Sequence, residues 1–240
     1  MYFYLATLSI TLALFFLLAL YFRFLDIYGS IGALLIGFYV GILGGFPWLI
    51  IMLVFAVTSY LATIAWIRAK KDRNLQEGKN GERRFSNVIS AGLTGLILVF
   101  FNALNTYFFK SDFNFFLLFA ISFAVIEADT FASEIGFVDQ KVYMITTGKR
   151  VERGINGGIS ITGTVASLSG ALIIAASYSI LTWSFSPVVD VGIVLMGGLG
   201  SVIDSFLGAV FENRNRMTKY QVNFSASFIT VVIAAVILLI

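Results

Sequence analysis

The alternation of apolar and polar positions divides the chain into eight long apolar stretches joined by shorter polar segments. A helix needs about 20 mostly apolar residues to cross the roughly 30 Å hydrocarbon layer of a membrane. Stretches of that kind run Tyr2–Phe22, Tyr28–Gly44, Trp48–Ile67, Val88–Phe109, Phe113–Ile135, Gly158–Trp183, Val188–Phe211 and Asn223–Ile240. The second and third are separated only by Gly45-Phe46-Pro47, a turn signal, so they read either as two spans or as a re-entrant hairpin. Both readings leave the parity of the topology unchanged. The first stretch lacks a basic leader and a small-residue cleavage site, and reads as a retained helix. The pattern therefore predicts an all-α, polytopic transmembrane bundle of about eight spans. It forms one integral-membrane domain over residues 1–240, with three spans in 1–67, a basic loop at 68–87 and the remaining helices in 88–240.

Composition agrees. Apolar residues make up 59% and charged residues 12% of the 240 positions, with a mean hydropathy of +0.93. A soluble domain carries about 25% charged residues, and half that density cannot cover its outside. The chain has neither His nor Cys, which excludes imidazole bases, thiolate nucleophiles, zinc sites, His- or Cys-ligated haem and disulfides. Any chemistry falls to carboxylates, Lys, Arg, Asn, hydroxyls and backbone.

Charge placement sets the expected orientation, because Lys and Arg accumulate on the cytoplasmic side. If the eight spans alternate, fifteen of the sixteen basic residues fall at one end, and only Lys110 falls at the other. Both termini are then expected outside, with the long loops at about 68–87, 136–157 and 212–222 facing the cytoplasm and carrying the working face. The basic loops follow from topology, and no nucleic-acid module is visible.

Two of these loops enter the membrane alike. Arg83-Arg84-Phe85-Ser86-Asn87 precedes the fourth span, and Arg150-Val151-Glu152-Arg153-Gly154-Ile155-Asn156-Gly157-Gly158 precedes the sixth. Each places basic residues, then Asn and small residues, at a helix N-terminus, where free N–H groups and the positive dipole end suit an anion. The alternative is plain capping by Asn and Ser. The parallel between the loops, and the close backbone approach permitted by Gly157-Gly158, favour phosphate.

The acids are more informative, since carboxylates within a membrane are costly and usually functional. The fifth span ends Glu127-Ala128-Asp129-Thr130-Phe131-Ala132-Ser133-Glu134. At 100° per residue Glu127, Thr130 and Glu134 share one face, while Asp129 and Ser133 share another. Either the helix unwinds here, or its acids serve different neighbours. In the seventh span Gly200, Asp204 and Gly208 recur every four residues, a small-residue stripe that packs closely on other helices and turns Asp204 towards protein. Acids near the cytoplasmic ends of two helices, opposite basic loops, suggest oxygen ligands for Mg²⁺ beside a phosphate pocket. The alternative is an ion-pair network with Arg83, Arg84, Lys149 or Arg153.

Three segments, Asp129-Thr130-Phe131-Ala132-Ser133-Glu134-Ile135-Gly136, Gly154-Ile155-Asn156-Gly157-Gly158 and Gly200-Ser201-Val202-Ile203-Asp204-Ser205-Phe206-Leu207-Gly208-Ala209, resemble in order the motifs of a polytopic membrane family catalogued as domain of unknown function ninety-two. That family includes the plastid phytyl-phosphate kinase of tocopherol synthesis. Phe131 stands where the family commonly has Trp, and Val88 follows Asn87 where a Gly is more usual. The resemblance implies Mg²⁺-dependent transfer of a phosphoryl group from a nucleoside triphosphate, CTP or ATP, to an isoprenoid monophosphate.

Within that implied activity, Asp129, Glu134 and Asp204 are the expected metal ligands, with Glu127 a further candidate. Arg153 is an expected catalytic group beside them. Arg83, Arg84, Asn87, Lys149, Asn156, Gly157, Gly158 and Ser205 are expected to hold phosphates, and the lipid tail is expected in the membrane or between helices. The rival readings are a cation- or proton-coupled transporter using the buried acids, a CTP-dependent lipid cytidylyltransferase or polyprenol kinase, and a lipid-binding scaffold. A conducting path needs polar groups through the whole thickness, for which Asn102, Asn105 and Asp190 are the outward candidates.

Overall fold

A computed structural model describes residues 2–72 and 81–239. Arg73 and Lys79 of the basic loop lie outside the described residues. The elements are α1 (Tyr2–Tyr21), α2 (Ile27–Gly44), α3 (Phe46–Ala65), α4 (Ile67–Lys71), α5 (Phe85–Leu104), α6 (Phe115–Ile135), β1 (Val142–Met144), β2 (Arg150–Val151), β3 (Gly158–Ile159), α7 (Ile161–Thr182), α8 (Pro187–Val210) and α9 (Lys219–Leu239). All but α4 among these helices are long and apolar enough to cross a membrane, so the protein is a polytopic helical bundle. The α2–α3 pair comprises separate helices of 18 and 20 residues, joined at Gly45, whose φ of +92° requires glycine.

Helix α6 is the central post. Thirteen of its residues, Leu117 to Ala128 and Thr130, are buried, and it packs against α3, α5, α7, α8 and α9. Its apolar flank meets Trp48 and Phe55 of α3, with ring centroids of Trp48–Phe119 and Phe55–Phe123 at 4.7 and 5.3 Å. On the other flank small residues bring backbones together. A Cβ on Gly170 of α7 would sit 2.9 Å from the Glu127 carbonyl oxygen, and one on Gly197 of α8 would sit 3.1 Å from that of Ala124. Glycine thus replaces side-chain volume with backbone contact, as membrane helices require for close packing.

The connection between α6 and α7 departs from the sequence reading. Its residues form a three-stranded antiparallel sheet, ordered β2-β1-β3, with Tyr143 opposite both Arg150 and Ile159. The β1–β2 turn closes through Met144 N–H donating to the Lys149 carbonyl at 2.8 Å, and Gly148 takes φ +65°. Consequently Gly158 belongs to a strand, and the sixth span begins at Ile161 instead of Gly158. The fourth span, by contrast, starts earlier than Val88, at Phe85, and ends in a π-helical turn over Asn105–Phe109.

Cross-links between connections gather them at one end of the bundle. Arg83 N–H donates to the Phe24 carbonyl at 2.9 Å, Asp26 N–H to the Arg83 carbonyl at 3.1 Å, and Asn213 Nδ2 to the Asn156 carbonyl at 2.9 Å. This is the end that holds the acids.

Candidate functional site

Helix α6 stays regular through its acidic segment, so its acids serve different neighbours. On the first face, Thr58 and Ser59 of α3 donate to the two oxygens of Glu127, whose side chain is fully buried. One turn on, Thr130 Oγ1 accepts from Arg83 Nη2 at 3.5 Å. Further along, Glu134 Oε2 pairs with Lys70 Nζ of α4 at 2.7 Å, and Lys70 also lies 5.6 Å from the Phe137 ring centroid. This face ties α3, α4 and the residue 81–84 segment to α6.

On the second face, the Asp129 carboxylate meets that of Asp204 within hydrogen-bonding reach. The small-residue stripe of α8 brings this about. Gly200 seats on Val125, where an added Cβ would fall 2.4 Å from Cγ2, and Gly208 seats on Asn156 and Gly157. Asp204, midway between them, is carried to α6. Helix α9 completes the cluster: with its amide assigned in the orientation its neighbours require, Asn223 Nδ2 donates to Asp204 Oδ2 at 3.2 Å and to the Lys219 carbonyl at 3.0 Å. The Lys219 ammonium and the Glu212 carboxylate act electrostatically on both aspartates.

The pair opens into a cavity of about 420 Å³ between α6, α7, α8, α9 and the α6–α7 connection. Its polar lining includes Asp129, Ser133, Arg153, Asn156, Ser205, Glu212, Lys219 and Asn223, with the backbone of Gly157 and Gly158; its apolar lining includes Leu168, Leu195, Leu199 and Val202. Gly157 fixes the loop at its edge. With φ +81°, its Cα presses on α8 so closely that a Cβ would lie 2.4 Å from Ala209 Cβ and 2.8 Å from the Ser205 carbonyl oxygen.

The expected site residues therefore divide. Asp129, Asp204, Ser205, Arg153, Asn156, Gly157 and Gly158 line one cavity. Glu127 and Glu134 lie on the opposite face of α6, held by hydroxyls and by an ammonium. Among the described residues no group of three or more acids is arranged around one metal position; of the expected metal ligands, Asp129 and Asp204 lie together. Arg83 and Asn87 line a separate narrow apolar crevice among α1, α2, α3, α5 and α6. Arg84 and Lys149 are exposed. The Lys149 N–H faces Thr147 Oγ1 at 3.4 Å.

Both helix N-termini proposed for anions are capped from within. Asn87 Oδ1 accepts from Arg84 N–H at 3.1 Å. At α7, Ser160 Oγ accepts from Gly163 N–H at 3.1 Å, and Asp139 Oδ2 accepts from Thr162 N–H at 2.8 Å. That last bond, with smaller help from nearby hydroxyls and Arg153, holds the Asp139 carboxyl below its ordinary range. A protein carboxylate thus occupies the positive end of α7.

Sequence reasoning missed Lys219, Asn223, Glu212 and Asp139. Three of them left a signal: Lys219 and Asn223 are four residues apart and share a helix face. Glu212 continues the every-fourth stripe of Gly200, Asp204 and Gly208. At the other end of the bundle, Asn105 and Asp190, two of the polar residues considered for a conducting path, are tied up locally. Asn105 Oδ1 accepts from Ser111 Oγ at 2.7 Å, and Asp190 accepts from Ser179 Oγ.

An eight-span helical membrane protein with an acidic pair at one end of its bundle, in a cavity both polar and apolar, is the class these features define. The chain belongs to the integral membrane protein DUF92 family, whose model matches residues 10–231. It is 32% identical to an uncharacterised membrane protein of Methanocaldococcus jannaschii, over 90% of this chain and 86% of that one. It is 27% identical to protein PGR of Arabidopsis thaliana, over 78% of this chain and 72% of that one. With the chloroplastic protein VTE6 of the same plant it shares 28% identity over 78% of its length, spanning about half (51%) of that relative. No solved structure matches the chain.

Proposed function

We propose that the protein is an isoprenoid monophosphate kinase, transferring a phosphoryl group from a nucleoside triphosphate to a membrane-borne prenyl or phytyl phosphate. The observation that carries this reading is the single cavity in which the Asp129–Asp204 pair, cationic Lys219 and Arg153, and an apolar wall adjoin. Membership of a family that includes a plastid phytyl-phosphate kinase supports it.

Two carboxylates side by side repel unless a proton or a cation lies between them. The donors are all hard oxygens, which fits Mg²⁺, an ion typically bound by one or two carboxylates with phosphates and waters completing its shell. Asp129 and Asp204 would hold it, with Glu212 nearby, and the ion would neutralise charge on the phosphates. Phosphoryl transfer depends mainly on positioning and charge neutralisation, so a chain without His or Cys can perform it. Lys219 and Arg153 draw in the anionic phosphates, and Asn223 fixes the Asp204 carboxylate. The acceptor is already an anion, so no strong general base is required.

The test is transfer from γ-labelled ATP or CTP, with Mg²⁺, to phytyl, geranylgeranyl and farnesyl monophosphates by the purified protein. Labelled diphosphate that disappears in Asp129→Asn and Asp204→Asn is the expected result. Release of pyrophosphate from CTP with the lipid gaining CMP would replace the kinase by a cytidylyltransferase, and absence of both reactions would overturn the reading.

A further inference from the structure

The cavity is graded along its length. Helix α8 descends from the aspartate pair into the membrane, and its cavity-lining residues run Ser205, Asp204, Val202, Ser201, Leu199, Gly198, Leu195. Over that stretch, about 15 Å of helix at 1.5 Å per residue, polar groups give way to purely apolar ones. Helix α7 repeats the gradient in the same direction, from Thr164 through Ser167 to Leu168. Leu168, Leu195, Leu199 and Val202 are also exposed on the outer surface of the bundle, so the apolar half opens sideways towards the lipid. On its inner side it is closed, because Gly197 packs against Ala171 and the Ala124 carbonyl.

We propose that this groove between α7 and α8 seats the hydrocarbon chain of a phosphate lipid that enters laterally from the bilayer, headgroup towards the aspartates. The proposal rests on the kinase reading for the identity of the headgroup, and goes beyond it in assigning the tail to these residues. Continuity argues for a lipid: a water-soluble phosphate ligand has no use for an apolar wall running from the aspartate pair into the membrane. The inner closure directs a chain past Leu168, Leu199 and Leu195 on the lipid side. Gly198 keeps that path open, since a Cβ there meets only the movable Leu168 side chain, at 2.9 Å. Bulk added at this position enters the groove without displacing backbone.

Two measurements test this. The first gives the wild-type protein in detergent a prenyl monophosphate with a photoactivatable diazirine near the tail end, and maps the adducts by mass spectrometry. Adducts concentrated at Leu168, Leu195 and Leu199, and displaced by unlabelled geranylgeranyl phosphate, are expected. Adducts spread evenly over lipid-facing positions such as Leu172 and Ile229 would overturn the groove, whether or not phosphate is transferred. The second compares kcat/KM for geranylgeranyl phosphate with that for the short isopentenyl phosphate. Gly198→Leu and Leu199→Trp are expected to lower the long-to-short ratio about tenfold, while Leu172→Trp, exposed on α7 outside the groove, leaves it unchanged. An unchanged ratio in the groove variants would also overturn it. If no acceptor is phosphorylated the kinase reading fails, and the adduct map alone decides the groove.

Discussion

Asp129 of α6 and Asp204 of α8 face each other within hydrogen-bonding reach although each lies in a separate span, with the Lys219 ammonium acting on both. A packing device would not place two like charges together, because each destabilises the other. Replacing either by Asn removes that repulsion and keeps the shape. Asp129→Asn and Asp204→Asn are therefore expected to melt in detergent no lower than the wild type, while losing about 10²–10³-fold in transfer rate, the usual effect of removing one preorganised charge-stabilising group. A thermal shift assay beside a label-transfer assay measures both, and a large fall in melting temperature would assign the pair to stability.

Glu134 looks like a member of the same acidic cluster in sequence, but its carboxylate is bonded to Lys70 with both side chains largely buried, at 13% and 9% exposure. Breaking such a pair from one side leaves an uncompensated buried charge and costs about 3–5 kcal/mol. Lys70→Met is thus expected to be strongly destabilised, and Lys70→Met/Glu134→Gln to recover most of that loss. The double variant should keep transfer within a few-fold of wild type. Loss of transfer in a well-folded double variant would return Glu134 to the metal.

Gly157 and Gly148 both take positive φ, +81° and +65°, but only Gly157 touches a helix. Gly148→Ala meets nothing within 4 Å and is expected to cost only the left-handed conformation, about 1 kcal/mol. Gly157→Ala adds a clash with Ala209 and Ser205, worth about 1–3 kcal/mol more. The loop is then expected to lift from α8, seen as faster proteolytic cleavage between β2 and β3 and weaker nucleotide binding by the second variant alone.

Asp139 links the loop to the start of α7 and its carboxyl is held below the ordinary range by the Thr162 N–H. A carboxyl depressed in the folded state contributes stability above its unfolded pKa of about 3.9, and that contribution is lost as the pH falls through the lower folded value. Asp139→Asn keeps an oxygen that can accept from the Thr162 N–H and removes only the charge, so it is expected to lower stability at neutral pH by about 0.3–1 kcal/mol, the worth of an anion at a helix N-terminus. Its melting temperature should converge with that of the wild type below pH 4, which melting curves across pH 3–7 would show.

The sequence by itself determined the spans, because crossing a membrane demands long uninterrupted apolar stretches whatever the neighbours are. It also determined which acids of α6 share a face, since helical periodicity is a local property: Glu127, Thr130 and Glu134 do contact one set of partners and Asp129 another. The glycine stripe of α8 likewise announced that Asp204 turns inward. What only the tertiary structure decided is which surfaces those faces meet. Glu134 finds Lys70 because α4 brings that ammonium to the end of α6, and Asp204 finds Asn223 because α9 lies beside α8; no local rule specifies either neighbour. The sheet within the α6–α7 connection was illegible for a related reason. Its strands are two or three residues long, too short for a periodic signal, and they are stabilised by pairing with one another and by the seat of Gly157 on α8.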